Sequence, residues 1–222
     1  MIGKREATFS LLMLLFLSAA TPANAGVVID IPIHNLTAGS WGPSSGESFG
    51  QIFTAPAGEA VLADYSFRVA ANLQFPFVSQ VYAWGGSSAI GPSLFTSGIV
   101  LTPLPLDSFA TYVFSPSIPV TAGHQYIAFV TNQPDGVPLG GPPAAGGSMA
   151  LNQDNLYAGG QFAFNTSGNP AIGPWFLTLS NADAVFHATF VPEPATLVLC
   201  SLGFAGLVGI AARKRRRDGA SG

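Results

Sequence analysis

Between Ala25 and Pro194 no segment repeats its apolar residues at helical spacing. Short runs rich in aromatic and β-branched residues alternate instead with Gly- and Pro-containing breaks, a pattern of strands and turns. Val61 to Val69 is the clearest case. Val61, Ala63, Tyr65, Phe67 and Val69 fall on one face, with Asp64, Ser66 and Arg68 on the other. Phe109 to Phe114, Gln125 to Thr131, Trp175 to Leu179 and Ala184 to Phe190 also read as strands. Val27 to Ile33, Gln51 to Thr54, Val78 to Trp84, Leu94 to Leu101 and Ser148 to Leu151 are further candidates. Roughly eight to ten short strands at this spacing predict an all-β fold, an antiparallel β-sandwich of jelly-roll type. Pro134 to Gly147, PDGVPLGGPPAAGG, can sustain no regular element and is expected to be a long loop.

Charge is distributed just as unevenly. The 222 residues include 8 Lys and Arg. Lys4 and Arg5 stand near the start, and Arg213, Lys214, Arg215, Arg216 and Arg217 near the other end. Only Arg68 lies between them, against Asp30, Glu47, Glu59, Asp64, Asp107, Asp135, Asp154 and Asp183. A lysine-free acidic body has nothing to neutralise phosphates, so nucleic acid is not an expected partner. The single cysteine, Cys200, lies in the C-terminal apolar run. The body therefore offers no disulfide, no thiol nucleophile and no zinc ribbon, and no cofactor is expected.

Both ends read as membrane signals. Lys4 and Arg5 precede an apolar run from Ala7 to Ala20, broken by Thr21-Pro22 and followed by Ala23-Asn24-Ala25. Small residues at Ala23 and Ala25 satisfy signal peptidase, so residues 1–25 are expected to be a signal peptide cleaved before Gly26. At the other end, Ala195 to Ala212 carries no charge. As a helix it would be about 27 Å long, close to the ~30 Å core of a bilayer. The basic cluster 213–217 would stay on the cytoplasmic side. Signal peptide and basic cluster independently place residues 26–191 outside the cytoplasm. The organisation is thus a signal peptide (1–25), a β-sandwich body (26–191), a sorting and anchoring segment (192–217, helix 195–212) and a short tail (218–222).

Pro192-Glu193-Pro194, the apolar run beginning Ala195-Thr196-Leu197 and spaced by Gly203, Gly206 and Gly209, and the basic cluster together resemble the PEP-CTERM sorting signal of Gram-negative bacteria. The resemblance implies that Pro192, Glu193 and Pro194 are recognised by exosortase, an integral-membrane cysteine protease. It also implies processing near them, transient anchoring in the inner membrane, and a final place in the envelope, at the cell surface or outside the cell. Its carriers make exopolysaccharide, which adds exopolysaccharide to the expected partners beside signal peptidase, exosortase and the membrane. Physically, the two prolines disfavour helix and keep the tripeptide extended, as a protease cleft requires. Phe49 to Pro56 and Val120 to Tyr126 loosely resemble bacterial surface jelly-roll modules related to carbohydrate-binding domains.

Few residues of the body form a catalytic constellation. Gly42-Pro43-Ser44-Ser45-Gly46 matches G-x-S-x-G, but that chemistry needs a strand, a strained turn and a helix, and no helical pattern follows. His34, His124 and His187 lack metal-ligand spacing. Asn152-Gln153-Asp154-Asn155 resembles the start of a calcium loop without its central Gly or closing Glu. Asn35-Leu36-Thr37 and Asn165-Thr166-Ser167 have the form of glycosylation sequons. Trp84 stands where a strand enters Gly85-Gly86-Ser87-Ser88. An aromatic at such a rim can stack on a sugar ring, although large aromatics more often serve burial. The expectation is an exported, non-enzymatic envelope or matrix protein. Its rivals are a carbohydrate-binding module using Trp84 and a secreted hydrolase using Ser44.

Overall fold

The computed structural model describes residues 26–45, 47–58, 61–177 and 182–192. The expected signal peptide with Ala23 and Ala25 lies outside them, as do Glu193, Pro194, the apolar run 195–212, the basic cluster and the tail. Among the described residues no helix is long and apolar enough to cross a membrane.

The strands are β1 (Val27–Ile31), β2 (Leu36–Trp41), β3 (Ser48–Thr54), β4 (Val61–Ala71), β5 (Pro76–Trp84), β6 (Ala89–Thr96), β7 (Val100–Leu101), β8 (Ala110–Phe114), β9 (Ile118–Pro119), β10 (Gln125–Thr131), β11 (Gly147–Asn152), β12 (Phe162–Asn165), β13 (Trp175–Phe176), β14 (Asp183–Ala184) and β15 (Phe186–Val191). They form two antiparallel sheets. The first runs β1-β15-β4-β11-β14, with β2 on β11 and β8 and β9 on β4. The second runs β13-β12-β3-β10-β5-β6, with β7 on β5. The all-β sandwich predicted by the alternation is the fold.

Aromatic side chains fill the space between the sheets. Phe53 from β3 stacks on Tyr126 from β10 and on Phe186 from β15, both with ring centroids 5.8 Å apart. Trp41, Tyr65, Phe67, Phe77 and Phe190 complete this core, each buried ring contributing roughly 1.5–3 kcal/mol. The Tyr65 hydroxyl donates to Ser79 Oγ at 2.7 Å, which donates to the Phe129 carbonyl at 2.8 Å. The hydroxyl is thus satisfied across the core, and burial pushes its pKa far up.

β4 departs from the simple alternation. Its register against β15 shifts between Thr189 and Phe190, so that Thr189 faces Asp64 and Phe190 faces Leu62. This bulge turns Leu62 into the core and leaves Val61 and Ala63 half-buried, the reverse of the expected facing. From Tyr65 onward the expected inner face holds, and Tyr65, Phe67 and Val69 are fully buried. The expected strand Leu94 to Leu101 is divided between β6 and β7. Trp175 to Leu179 contracts to β13, with residues 178 and 179 outside the described chain. The Pro/Gly-rich loop after β10 contains only a 3₁₀ turn at Pro134–Gly136.

The second sheet is buried on both faces. In β10, Tyr126, Ala128 and Val130 face the main core. Ile127 and Phe129 point the other way, into a smaller cluster with Ile52, Tyr82, Trp84, Ala163 and Trp175. Trp175 covers this outer face. Its indole N–H donates to the Pro170 carbonyl at 3.0 Å, and its ring packs 5.1 Å from Phe129. The two ends of the described body meet in the first sheet. Val27 lies opposite Phe190 and Ile31 opposite Phe186, so β1 begins where β15 ends.

Candidate functional site

Beside the outer cluster lies an open depression of about 470 Å³, lined by Ile52, Trp84, Gly86, Gln125, Asn155, Ala158, Gly160, Gln161 and Leu177. β3 and β5 supply its apolar floor through Ile52 and Trp84. The first residue of β10 supplies Gln125, and the segment between β11 and β12 supplies Asn155 to Gln161. That segment has no regular structure, yet it is bonded closely to the edge of β3. β12 pairs with β3 from Ser48 to Gln51. Beyond this the Gln161 carbonyl accepts the Ile52 N–H at 2.9 Å. The Tyr157 hydroxyl then accepts from the Thr54 N–H at 3.0 Å and donates to the Thr54 carbonyl at 3.1 Å. One phenol therefore replaces a strand partner. Burial, the largest cause, raises the Tyr157 pKa. Gly160 completes the contact, because a Cβ there would overlap the backbone of Ile52.

A buried polar knot anchors the same wall. Asp183, in β14, is fully buried. It accepts from Gln51 Nε2 and from the Tyr157 N–H, both at 3.0 Å. Gln51 also donates to the Ile52 carbonyl at 3.1 Å and accepts from the Ala184 N–H at 2.7 Å. Burial outweighs these bonds and holds the Asp183 carboxyl above its ordinary value. The knot joins both sheets to the loop, so the wall is set by the interior of the fold. Across the outer face, the Tyr82 hydroxyl donates to Asp135 Oδ1 at 3.1 Å. Burial first, and the neighbouring carboxylate second, push that phenol up to about 12.

Trp84 is the last residue of β5, at the strand-to-loop junction expected for it. It is only 8% exposed and meets Trp175 edge to face at 6.4 Å. It forms a wall of the depression and offers no open stacking face. Among the described residues its indole N–H has no acceptor, and the side-chain amides of Gln125, Asn155 and Gln161 make no intramolecular hydrogen bond. The described lining therefore combines an apolar floor with uncharged donors and acceptors, and none of the described lining residues is ionisable. Sequence reasoning missed Gln125 and Gln161, and read Asn155 only as part of a segment resembling a calcium loop. Nothing in the separate segments links the three, and only the path of the β11–β12 loop brings them together.

The other candidates lie apart. Ser44 is exposed in the turn after β2, its N–H donating to the Ala145 carbonyl at 2.9 Å, and β3 follows it without a helix. His34 bonds to Thr37 at 3.1 Å, and His187 bonds to Thr189 and, at 3.4 Å, to Asp30. None of these contacts involves Ser44. The segment from Asn152 to Asn155 closes on its neighbours. Asn152 accepts the Asp154 N–H at 2.8 Å, and Asp154 accepts from Asn35 at 2.8 Å. No group of three His, Cys, Asp or Glu residues among the described residues is placed to hold a metal ion. Pro192 follows β15 directly.

Residues 190–217 match the family model of the PEP-CTERM protein-sorting motif. The chain carries this motif, which implies export, membrane anchoring before processing and exosortase as the processing partner. No curated protein matches the chain. Among solved structures, the cysteine protease and lectin-like domains of Cwp84, a surface layer associated protein of Clostridium difficile, align over 78% of this chain and 37% of theirs. That alignment has 10% identity and a TM-score of 0.47. A propeptide-cleaved form of the clostridial protease Cwp84 aligns over 78% of this chain and 42% of its own, with 11% identity and a TM-score of 0.49. The chain thus spans about two fifths of the length of these structures.

Proposed function

We propose that this chain is an exosortase substrate of a Gram-negative cell whose β-sandwich serves, without catalysis, in the envelope or extracellular matrix. The signal peptide of residues 1–25 starts export. The apolar segment 195–212 and the basic cluster 213–217 hold the chain in the inner membrane. Pro192, Glu193 and Pro194 direct processing, after which the body remains outside the cytoplasm, where exopolysaccharide is a fitting partner. The observation that carries this reading is the match over residues 190–217, which overlaps the end of β15. The sorting signal begins on the last strand of the sandwich, so body and signal act as one exported unit. His34, His187 and Asp183 are bonded to other partners and Ser44 stands apart from them, which favours a body without acid–base machinery.

The test uses the full chain with a C-terminal tag in a host that contains an exosortase. Glu193→Ala is expected to keep the tag attached while leaving topology unchanged. Replacing all five residues of the cluster 213–217 with Gln is expected to weaken membrane retention. Equal loss of the tag from parent and Glu193→Ala would overturn the recognition role. Release of reducing ends from polysaccharide, abolished by a single Asp or Glu substitution, would overturn the non-catalytic role.

A further inference from the structure

We infer that the depression beside Trp84 is a binding site for a neutral saccharide, read by the amides of Gln125, Asn155 and Gln161. The inference deepens the reading of the body as a non-catalytic exported module and rests on it.

The chemistry of the lining selects the ligand class. An ion entering this depression would find no counter-charge among its described lining residues, and desolvating an unpaired charge is costly. A wholly apolar ligand would strip water from three amides and an indole N–H without replacing those hydrogen bonds, at a cost for each group. A hydroxyl both donates and accepts, and so does a carboxamide. Several hydroxyls presented together can satisfy Gln125, Asn155 and Gln161 at once. Their carrier also needs an apolar C–H surface to cover the exposed Leu177. A neutral sugar ring has both faces. The volume of about 470 Å³ lies within the ~300–1,000 Å³ range of small-ligand sites.

The construction of the wall supports the same assignment. Tyr157, Thr54, Gln51 and Asp183 fix the loop that carries Asn155 and Gln161 through one buried and three part-buried hydrogen bonds. Gly160 presses it against β3. Gln125 projects from a strand held between β3 and β5. The amides thus sit on a preorganised frame, which lowers the ordering cost of binding. Trp84 contributes its edge and its N–H, so recognition here proceeds through hydrogen bonds more than through ring stacking.

The experiment uses the full chain in a detergent without a sugar headgroup. Affinity electrophoresis and calorimetric titration measure binding to dextran and a galactomannan, with polygalacturonate and chitosan as charged comparators. Binding to at least one neutral polymer is expected. Gln125→Ala/Gln161→Ala should weaken it ~10–30-fold, as expected for the loss of two neutral hydrogen bonds, with the melting temperature preserved. Trp84→Phe, which keeps the apolar wall and removes the N–H, should weaken it several-fold. If the double variant does not fold, Asn155→Gly replaces it, since Asn155 already has positive φ. Three results would each overturn the site: no binding to either neutral polymer, binding to the charged polymers alone, or undiminished binding by a folded variant. Release of reducing ends would overturn the non-catalytic reading instead, and the affinity ratio of parent to variant would still decide the site.

Discussion

Replacing Gln51 with leucine tests whether the buried knot holds the fold and the loop together. The change keeps approximate side-chain volume and deletes both amide atoms. The Ala184 N–H then loses its acceptor at 2.7 Å, and Asp183 Oδ1 loses its donor at 3.0 Å. Each buried group left without a partner costs about 1–3 kcal/mol, so the two together cost roughly 2–6 kcal/mol. Greater apolar burial by leucine offsets about 1 kcal/mol. A net loss of about 1–5 kcal/mol corresponds to a fall in Tm of roughly 2–20 °C for a domain of this size. Urea unfolding, with an unchanged m value, gives the free energy directly. Gln51→Glu supplies the electrostatic control. It sets a second carboxyl against Asp183, so both favour the protonated form in the folded state. Their contribution to stability is present below the unfolded carboxylate value and lost as pH rises. Gln51→Glu should therefore lie closer to the parent at pH 4 than at pH 7. A Tm for Gln51→Leu within ~2 °C of the parent would refute the reasoning, because stranded buried polar groups cannot be that cheap.

Two further outcomes follow from the same wall. Gly160→Ala drives a Cβ into the Ile52 backbone, where no flexible side chain can yield, and should cost about 1–3 kcal/mol; a variant melting with the parent contradicts the contact. Asp183 is held above its ordinary 3.8 by burial, so its contribution to stability is fullest below that value and declines as pH rises through the folded value. The deficit of Asp183→Asn in urea unfolding should accordingly be larger at pH 3.5 than at pH 7, and an equal deficit at both would count against the assignment.

Much of the fold could be read from strands with one clear apolar face. Gln125 to Thr131 matches β10 end to end, and Ala184 to Phe190 finds the inward Phe186, Ala188 and Phe190, although Val185 interrupts it between β14 and β15. β2 went unread because LTAGSW mixes small and polar residues, and only its place opposite β11 makes it a strand. β12, FAFN, is too short to show a period. The bulge beside Ala63 depends on the register of a partner more than a hundred positions away, which no local pattern encodes. The second core was hidden for a related reason. In β10 the outward residues are as apolar as the inward ones, and a uniformly apolar strand does not say what covers its far side. The depression depends on that cover, so only Trp84 was legible in advance.

The pairing of β1 with β15 has a mechanical consequence. Tension applied at Pro192 pulls along the axis of β15, which is flanked by β1 over Phe186 to Phe190 and by β4 over Phe186 to Val191. The hydrogen bonds of both ladders lie across that axis, so a tug from the tail loads them side by side in shear and does not peel them one at a time. β4 passes part of the load to β8 and β11. The strand nearest the anchor is therefore the one with support on both flanks, and a domain held by its tail resists drag through the middle of a sheet, not at a free edge.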